Sequence, residues 1–461
     1  MRIVKYTGLL ALTISIFISA GCAGPSNAGS VSSNSSDDGI TVSNDALRTD
    51  SVILISLAGF EKGGSKTALV KGMKREETFE VIDPDKGDSL FTGEVRYSNK
   101  DTEEEETVGI LDLTDFDREG TYRIRTGSGV CSDDFVIKQD IYRDILADRI
   151  SRFGEEDPGD LKLSADNLNR ILFRATDRLL AREFFPGSID KNTADDPMVI
   201  PRTVLLARSD MEVLREAADK KGRIKSFLNA DLGTRYGYSA TMAMYAYIYD
   251  KYDKKAAGEY GDLAVSVYQE AEKDYEESKD REKRSADDKR YWASAQLYKL
   301  TGRREYKTAA EEYALDPPGG MNEDKCGYLG TVAYLTSYNR IDLNVGELLI
   351  TSLMEDINDS VRGSFKNVYY ADIKELDDET DPGKVYEDAR LAVLGNYISK
   401  NIKYIEAGEN QVAFLYGRNA LGKDFAFDVD SQYHDEPMEF ILAGLIDSYI
   451  YEDKKPEAME R

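Results

Sequence analysis

One change of hydrophobic period, near Ile141, constrains the fold more than any other feature of the chain. Before it, short runs alternate in the two-residue rhythm of strands. Strands are expected at Ser51 to Leu57, Thr67 to Val70, Thr78 to Ile82, Phe91 to Tyr97, Thr107 to Leu113, Tyr122 to Arg125 and Asp134 to Lys138. Turn-forming groups separate them, such as Lys62-Gly63-Gly64, Asp83-Pro84-Asp85, Arg118-Glu119-Gly120 and Gly127-Ser128-Gly129. That spacing predicts a small antiparallel sandwich. After Ile141 the rhythm is helical, with about twelve segments rich in Ala, Leu, Tyr, Lys and Glu, beginning with Ile141 to Phe153 and ending with Met438 to Ile450. Twelve is the count that six helical hairpins need to close into a barrel. The segments carry no short exact repeat of the kind that builds a solenoid.

The first fifty residues belong to neither pattern. Arg2 and Lys5 precede an apolar run from Leu9 to Ile18, and Ser19, Ala20 and Gly21 stand immediately before Cys22. This is the form of a signal peptide ending in a lipobox, which predicts cleavage before Cys22 and lipid on its thiol. The apolar run is short for a bilayer span. Residues 23–49, mostly Ser, Asn, Gly and Asp, bury too little to offset the entropy of ordering and read as a flexible tether. The expected organisation is 1–21 signal peptide, 22–50 lipidated cysteine and linker, 51–139 β-sandwich, and 140–461 helical domain. The folded part is then expected at the extracellular face of the cell membrane.

Charge and rare residues narrow the chemistry. A formal net charge of −26 repels nucleic acid phosphates and anionic lipid, while a neutral sugar meets no such objection. With Cys22 assigned to lipid, Cys131 and Cys326 remain, far apart in sequence. A single histidine, His434, leaves little for a zinc site or a Ser/His or Cys/His pair.

Several stretches resemble glycoside hydrolase family 9 in the family's own order. Ile55-Ser56-Leu57-Ala58-Gly59-Phe60 followed by Lys66-Thr67-Ala68-Leu69-Val70 is similar to the opening of the immunoglobulin-like domain that precedes the catalytic module in many of its enzymes. Leu113-Thr114-Asp115-Phe116 and Gly120-Thr121-Tyr122 continue it. Trp292-Ala293-Ser294-Ala295-Gln296-Leu297-Tyr298 resembles a mid-barrel helix, and Tyr416-Gly417-Arg418-Asn419-Ala420-Leu421-Gly422 resembles the family's "LGrNplG" stretch. The resemblance implies an immunoglobulin-like sandwich followed by an (α/α)6 barrel, acting on β-glucan or related oligosaccharides.

Inverting cleavage of a glycosidic bond takes a carboxylate that activates water and a carboxylic acid that protonates the leaving oxygen, roughly 6.5 to 9.5 Å apart. The family places its base in an Asp-Ala-Gly-Asp turn after the first barrel helix. Asp157-Pro158-Gly159-Asp160 occupies that place, which by resemblance makes Asp160 the base and Asp157 its partner in holding the water. The family's acid is a Glu six residues before the Asn-Ala-Pro that opens the last helix. Matching Asp435-Glu436-Pro437 to that motif puts the acid's place on Val429, with Asp428, Asp430 and Glu436 as rivals for the role. The Gly-Gly-Trp that precedes the family's Asp turn is replaced by Phe153-Gly154-Glu155-Glu156, and only Lys423 to Asp428 stands where the family carries a substrate clamp.

Sugar clefts stack aromatic faces on pyranose rings. Among 29 tyrosines, Tyr236, Tyr328 and Tyr433 lie beside expected loops and join His434 as candidate substrate contacts, whereas Trp292 and the helically spaced Tyr245 and Tyr249 are expected to pack inside. The sequence thus points to a surface-anchored inverting glycoside hydrolase, or to an impaired relative that binds polysaccharide without cutting it. No cofactor is expected, and structural calcium stays open.

Overall fold

The computed structural model of the protein describes residues 41–42, 52–72, 75–97, 107–153, 165–189, 201–217, 231–279, 286–315, 327–366, 368–373, 375–376, 382–426 and 438–452. Two short strands, β1 (Thr41–Val42) and β10 (Glu375–Leu376), pair in parallel. The remaining strands form one eight-stranded sheet: β2 (Val52–Leu54), β3 (Phe60–Glu61), β4 (Thr67–Gly72), β5 (Thr78–Ile82), β6 (Ser89–Tyr97), β7 (Thr107–Asp112), β8 (Gly120–Thr126) and β9 (Phe135–Lys138). Their order is β2-β4-β7-β6-β5-β8-β9-β3, antiparallel except where β3 meets β9. Phe79, Val81, Leu111, Ile124 and Ile137 fill the core of this domain.

Strand β4 shows how the two domains share surface. All six of its residues are buried, because Ala68 and Val70 face the sheet's own core while Leu69 joins the core of the helical domain. One expected strand in this region is corrected, and one strand had not been expected. The first strand ends at Leu54 rather than Leu57, since the Leu57 N–H leaves the sheet to donate to the Tyr416 carbonyl at 2.8 Å. The edge strand β3 is only two residues long, too short to leave an alternating pattern.

Among the described residues, twelve longer helices and one short turn of helix follow. They are α1 (Ile141–Phe153), α2 (Ala165–Phe184), the four-residue α3 (Pro186–Ile189), α4 (Arg202–Ala217), α5 (Leu232–Tyr249), α6 (Lys254–Glu277), α7 (Asp287–Thr301), α8 (Arg304–Leu315), α9 (Gly327–Leu335), α10 (Leu343–Ser364), α11 (Gly383–Ile398), α12 (Ile402–Leu415) and α13 (Glu439–Glu452). Local chemistry sets several ends. Asp231, Asp253, Asp342 and Asn401 cap first turns by accepting backbone N–H groups, and Gly302 closes α7 at φ 67°.

Burial separates the helices into two kinds. Helix α5 is buried on nearly every side, whereas α6 buries one stripe formed by Ala257, Tyr260, Ala264, Val267, Tyr268 and Ala271. The more enclosed helices run parallel to one another. First turns meet first turns where Thr234 of α5 reaches Asn169 of α2 at 3.4 Å, and where Tyr291 of α7 meets Thr331 of α9 at 3.2 Å. Late turns meet late turns where Asn396 of α11 donates to Ser448 of α13 at 2.9 Å. Helix α13 also runs alongside α2, with the Phe185 and Phe440 rings 5.3 Å apart.

Candidate active site

The segment expected to hold the base leaves the C-terminal end of α1, and the segment expected to hold the acid enters α13. Their described ends are tied together. Arg149, near the end of α1, donates from Nη1 to the carbonyl of Ala426 at 2.8 Å, and its guanidinium also meets the Tyr416 hydroxyl. The first residue of α13 is Glu439, whose Oε2 accepts the N–H of Met438 at 3.2 Å and whose Oε1 accepts Nε of Arg178 at 3.2 Å.

Beneath this junction lies a buried ionic layer. Arg178 donates from Nη1 to Asp210 Oδ2 at 2.9 Å, and Arg174 donates to the other Asp210 oxygen at 2.6 Å. Asp177, next to Arg178 on α2, accepts Nε of Arg390 at 3.2 Å on Oδ1 and the N–H of Phe440 at 2.9 Å on Oδ2. Burial raises the Asp177 carboxyl above its ordinary range, Arg390 opposes that shift, and the Glu439 charge adds to it. Glu439 moves the other way, because Arg178 and Arg149 together outweigh its own burial. A carboxyl biased toward its neutral form beside one biased toward its ionised form is an arrangement suited to proton transfer. Here both Asp177 oxygens already have donors and neither side chain reaches solvent, so the pair forms the floor beneath the site.

The sequence-predicted residues divide sharply by position. Asp157, Asp160, Asp430, Glu436, Tyr433, His434 and Cys22, with the acid's matched place at Val429, lie outside the described residues. Tyr236 is fully buried. Its hydroxyl donates to Glu272 at 2.6 Å, and its ring packs edge to face against Tyr268 and Tyr275, so the surroundings give it a packing role and leave no open face for a sugar. Tyr328 is buried in the first turn of α9. Trp292 is buried, and Tyr245 stacks on Tyr249 at 4.9 Å, as expected of packing residues.

The ionic floor was missed from sequence. Its signal is a charged residue where the helical period calls for an apolar one. Asp177-Arg178 interrupts the apolar face of α2, and Glu439 opens the otherwise apolar Phe440-Ile441-Leu442-Ala443.

The "LGrNplG"-like stretch is a turn that the Asn419 side chain organises from within. Its amide nitrogen donates to the carbonyls of Phe414 at 2.8 Å and Lys423 at 2.7 Å, and its oxygen accepts the N–H groups of Leu421 and Lys423, both at 3.1 Å. Gly417 at φ 98° and Gly422 at φ 62° supply the left-handed backbone at either end. This turn delivers Ala426 to Arg149.

Known proteins place these two domains. Residues 48–130 match the cellulase N-terminal ig-like domain, and residues 234–449 match glycosyl hydrolase family 9. No curated protein matches the sequence. Among solved structures, a metagenome-derived glycoside hydrolase family 9 endoglucanase is similar with a TM-score of 0.66 at 16% identity, covering 83% of this chain and 86% of its own. A Bacteroides ovatus family 9 protein gives 0.67 at 14% identity, covering 86% and 99%. AaCel9A, solved in complex with cellobiose-like isofagomine, gives 0.66 at 16% identity, covering 86% and 100%. Matched in both domains and in the family's order, the chain belongs to glycoside hydrolase family 9 and carries the immunoglobulin-like domain found at the N-terminus of its cellulases.

Proposed function

We propose that the protein is a cellulase-like hydrolase of β-linked glucans that works by inversion, with its helices closed as an (α/α)6 barrel and its folded part held at the cell surface by lipid on Cys22. The bond from Arg149 to the Ala426 carbonyl carries this reading. It joins the end of the helix that leads to Asp157 and Asp160 to the last described residue before Asp430 and Glu436, which supports a cleft with one carboxyl on each side. In this mechanism Asp160 activates the water with help from Asp157, and Asp430 or Glu436 protonates the leaving oxygen from the opposite face. Asp177 and Glu439, engaged with arginines below, hold the walls in place. The AaCel9A complex with cellobiose-like isofagomine supports a β-glucan as the substrate class.

A second reading has a specific observation in its favour. Val429 stands where the family carries its acid, which suits a protein that binds polysaccharide without cleaving it. Reducing-sugar release from a panel of β-glucans, with Asp160→Asn and Asp430→Asn alongside, separates the two. Release by the wild type that Asp160→Asn abolishes supports hydrolysis. No release above the variants, together with retained glucan binding, overturns hydrolysis in favour of the second reading.

A further inference from the structure

We propose a separate sugar-binding site where α2, α5 and α7 finish, with the exposed ring of Tyr338 as its platform. Tyr338 lies in the turn after α9 and is 86% exposed. One face of its ring stacks against Tyr247 of α5, with centroids 6.5 Å apart and planes 28° apart. Nearly all of the Tyr338 surface stays open to solvent beside that neighbour.

Beside the rings lies a built polar cluster. Lys299 of α7 is buried, with its side chain 1% exposed; it pairs with Glu183 of α2, donates to the Thr336 hydroxyl at 2.8 Å and lies 4.9 Å from the Tyr247 ring centre. Glu183 keeps 16% of its side chain open, so its carboxylate is fixed by Lys299 and still meets solvent. A pyranose offers an apolar C–H face and a rim of hydroxyls. The Tyr338 ring matches the first, and the fixed carboxylate accepts from the second. The chain's net charge of −26 disfavours an anionic ligand here and leaves a neutral glycan unopposed. The cluster gathers at the last turns of three helices, Glu183 on α2, Tyr247 on α5 and Lys299 on α7, so one glycan can meet ring and carboxylate together. Taking β-glucan as the ligand rests on the family reading, whereas the site itself does not.

The test uses the full chain, with hydroxyethyl cellulose in affinity gels and cellohexaose in solution. Tyr338→Ala is expected to weaken retardation by the polymer about tenfold, the equivalent of about 1.4 kcal/mol, while Tyr338→Phe keeps the stacking surface and the affinity. Cellohexaose is expected to slow nitration of Tyr338 by tetranitromethane severalfold. Reducing-end release from a short soluble oligosaccharide is expected to be unchanged in Tyr338→Ala; if the wild type proves inactive, the affinity and nitration measurements decide alone. Unchanged affinity in Tyr338→Ala overturns the site. So does weakened affinity with no protection of Tyr338 from nitration, which marks an indirect effect.

Discussion

The carboxylate of Glu61 accepts the backbone N–H of Ile141 at 2.8 Å, so a residue of the sheet domain caps the first helix of the other domain. Its second oxygen accepts the N–H of Asp140, also at 2.8 Å, and Asp140 takes the left-handed backbone at φ 62° that presents both donors to one carboxylate. Across the same seam Glu409 of α12 accepts the N–H of Ser65 at 3.0 Å and the hydroxyls of Tyr142 and Tyr449. The domains are thus joined by two buried carboxyls.

These carboxyls make the seam sensitive to pH. Burial pushes both Glu61 and Glu409 from 4.5 up to about 7, against the hydrogen bonds that favour their ionised forms. Between those values the folded protein holds protons that the unfolded chain has lost. The stability this supplies is full below pH 4.5 and fades as pH rises through 7. The urea midpoint is therefore expected to fall between pH 5 and 8. Glu409→Gln, which keeps the neutral shape, should flatten the profile by on the order of 3 kcal/mol across that window. A wild-type midpoint that rises through the window contradicts this account.

Arg418 is expected to be the costliest residue of the seam to remove. Fully buried, its guanidinium donates to Asn410 Oδ1 at 2.6 Å, to the Asn410 carbonyl at 2.8 Å and to the Thr67 hydroxyl of β4, and it lies 5.0 Å from the centre of the Tyr370 ring. Arg418→Ala strands acceptors of both domains away from water, at about 1–3 kcal/mol for each group left unpaired. Arg418→Lys should recover little, because one ammonium cannot span acceptors placed for a planar fork. Thermal unfolding of the three proteins checks the order.

Much of this architecture was legible in the chain. Helix α1 and strand β5 match their expected ends, because Ile141 and Thr78 each begin an uninterrupted periodic run. The junction of the domains was not. Glu61, Lys66 and Lys71 look like solvated charges in sequence, yet all three are buried, Glu61 against the start of α1 and Lys71 with its ammonium on the Ala420 carbonyl at 3.2 Å. Pairing over more than 300 residues of separation, as between Ser65 and Glu409, leaves no local signature. The floor of the candidate site was hidden for the same reason, since Asp177 meets Phe440 and Arg390 only after the helices have assembled.

Within that floor, two carboxyls of similar burial should respond differently to neutralisation. Glu439 answers two guanidiniums, Arg178 and Arg149, so Glu439→Gln leaves buried positive charge poorly compensated, at about 3–5 kcal/mol. Asp177 is already biased toward its neutral form, and in Asp177→Asn the oxygen still accepts one donor while only the other, Arg390 or the Phe440 N–H, is left unpaired, so its cost should be the smaller, at about 1–3 kcal/mol. The double variant should cost less than the sum, because removing the Glu439 charge relieves what raises Asp177. Equal single costs that add fully would show that the two carboxyls are not coupled.

Two glycines of the helical domain should respond to alanine with opposite signs. A Cβ on Gly330 of α9 would stand 2.5 Å from the Tyr291 ring. That ring cannot yield freely, because it stacks on Tyr313 at 4.5 Å with planes 10° apart and its hydroxyl lies 3.2 Å from that of Thr331. Gly330→Ala should therefore destabilise by about 1–3 kcal/mol, as overpacking of a filled core does. Gly258, on the exposed side of α6, has no atom within 4 Å of where its Cβ would lie. There alanine only removes backbone freedom from the unfolded chain and should stabilise by about 0.5–1 kcal/mol. Urea unfolding of both variants tests the packing directly: a neutral Gly330→Ala would mean that Tyr291 has room to move, and the tight aromatic layer between α7, α8 and α9 would have to be abandoned.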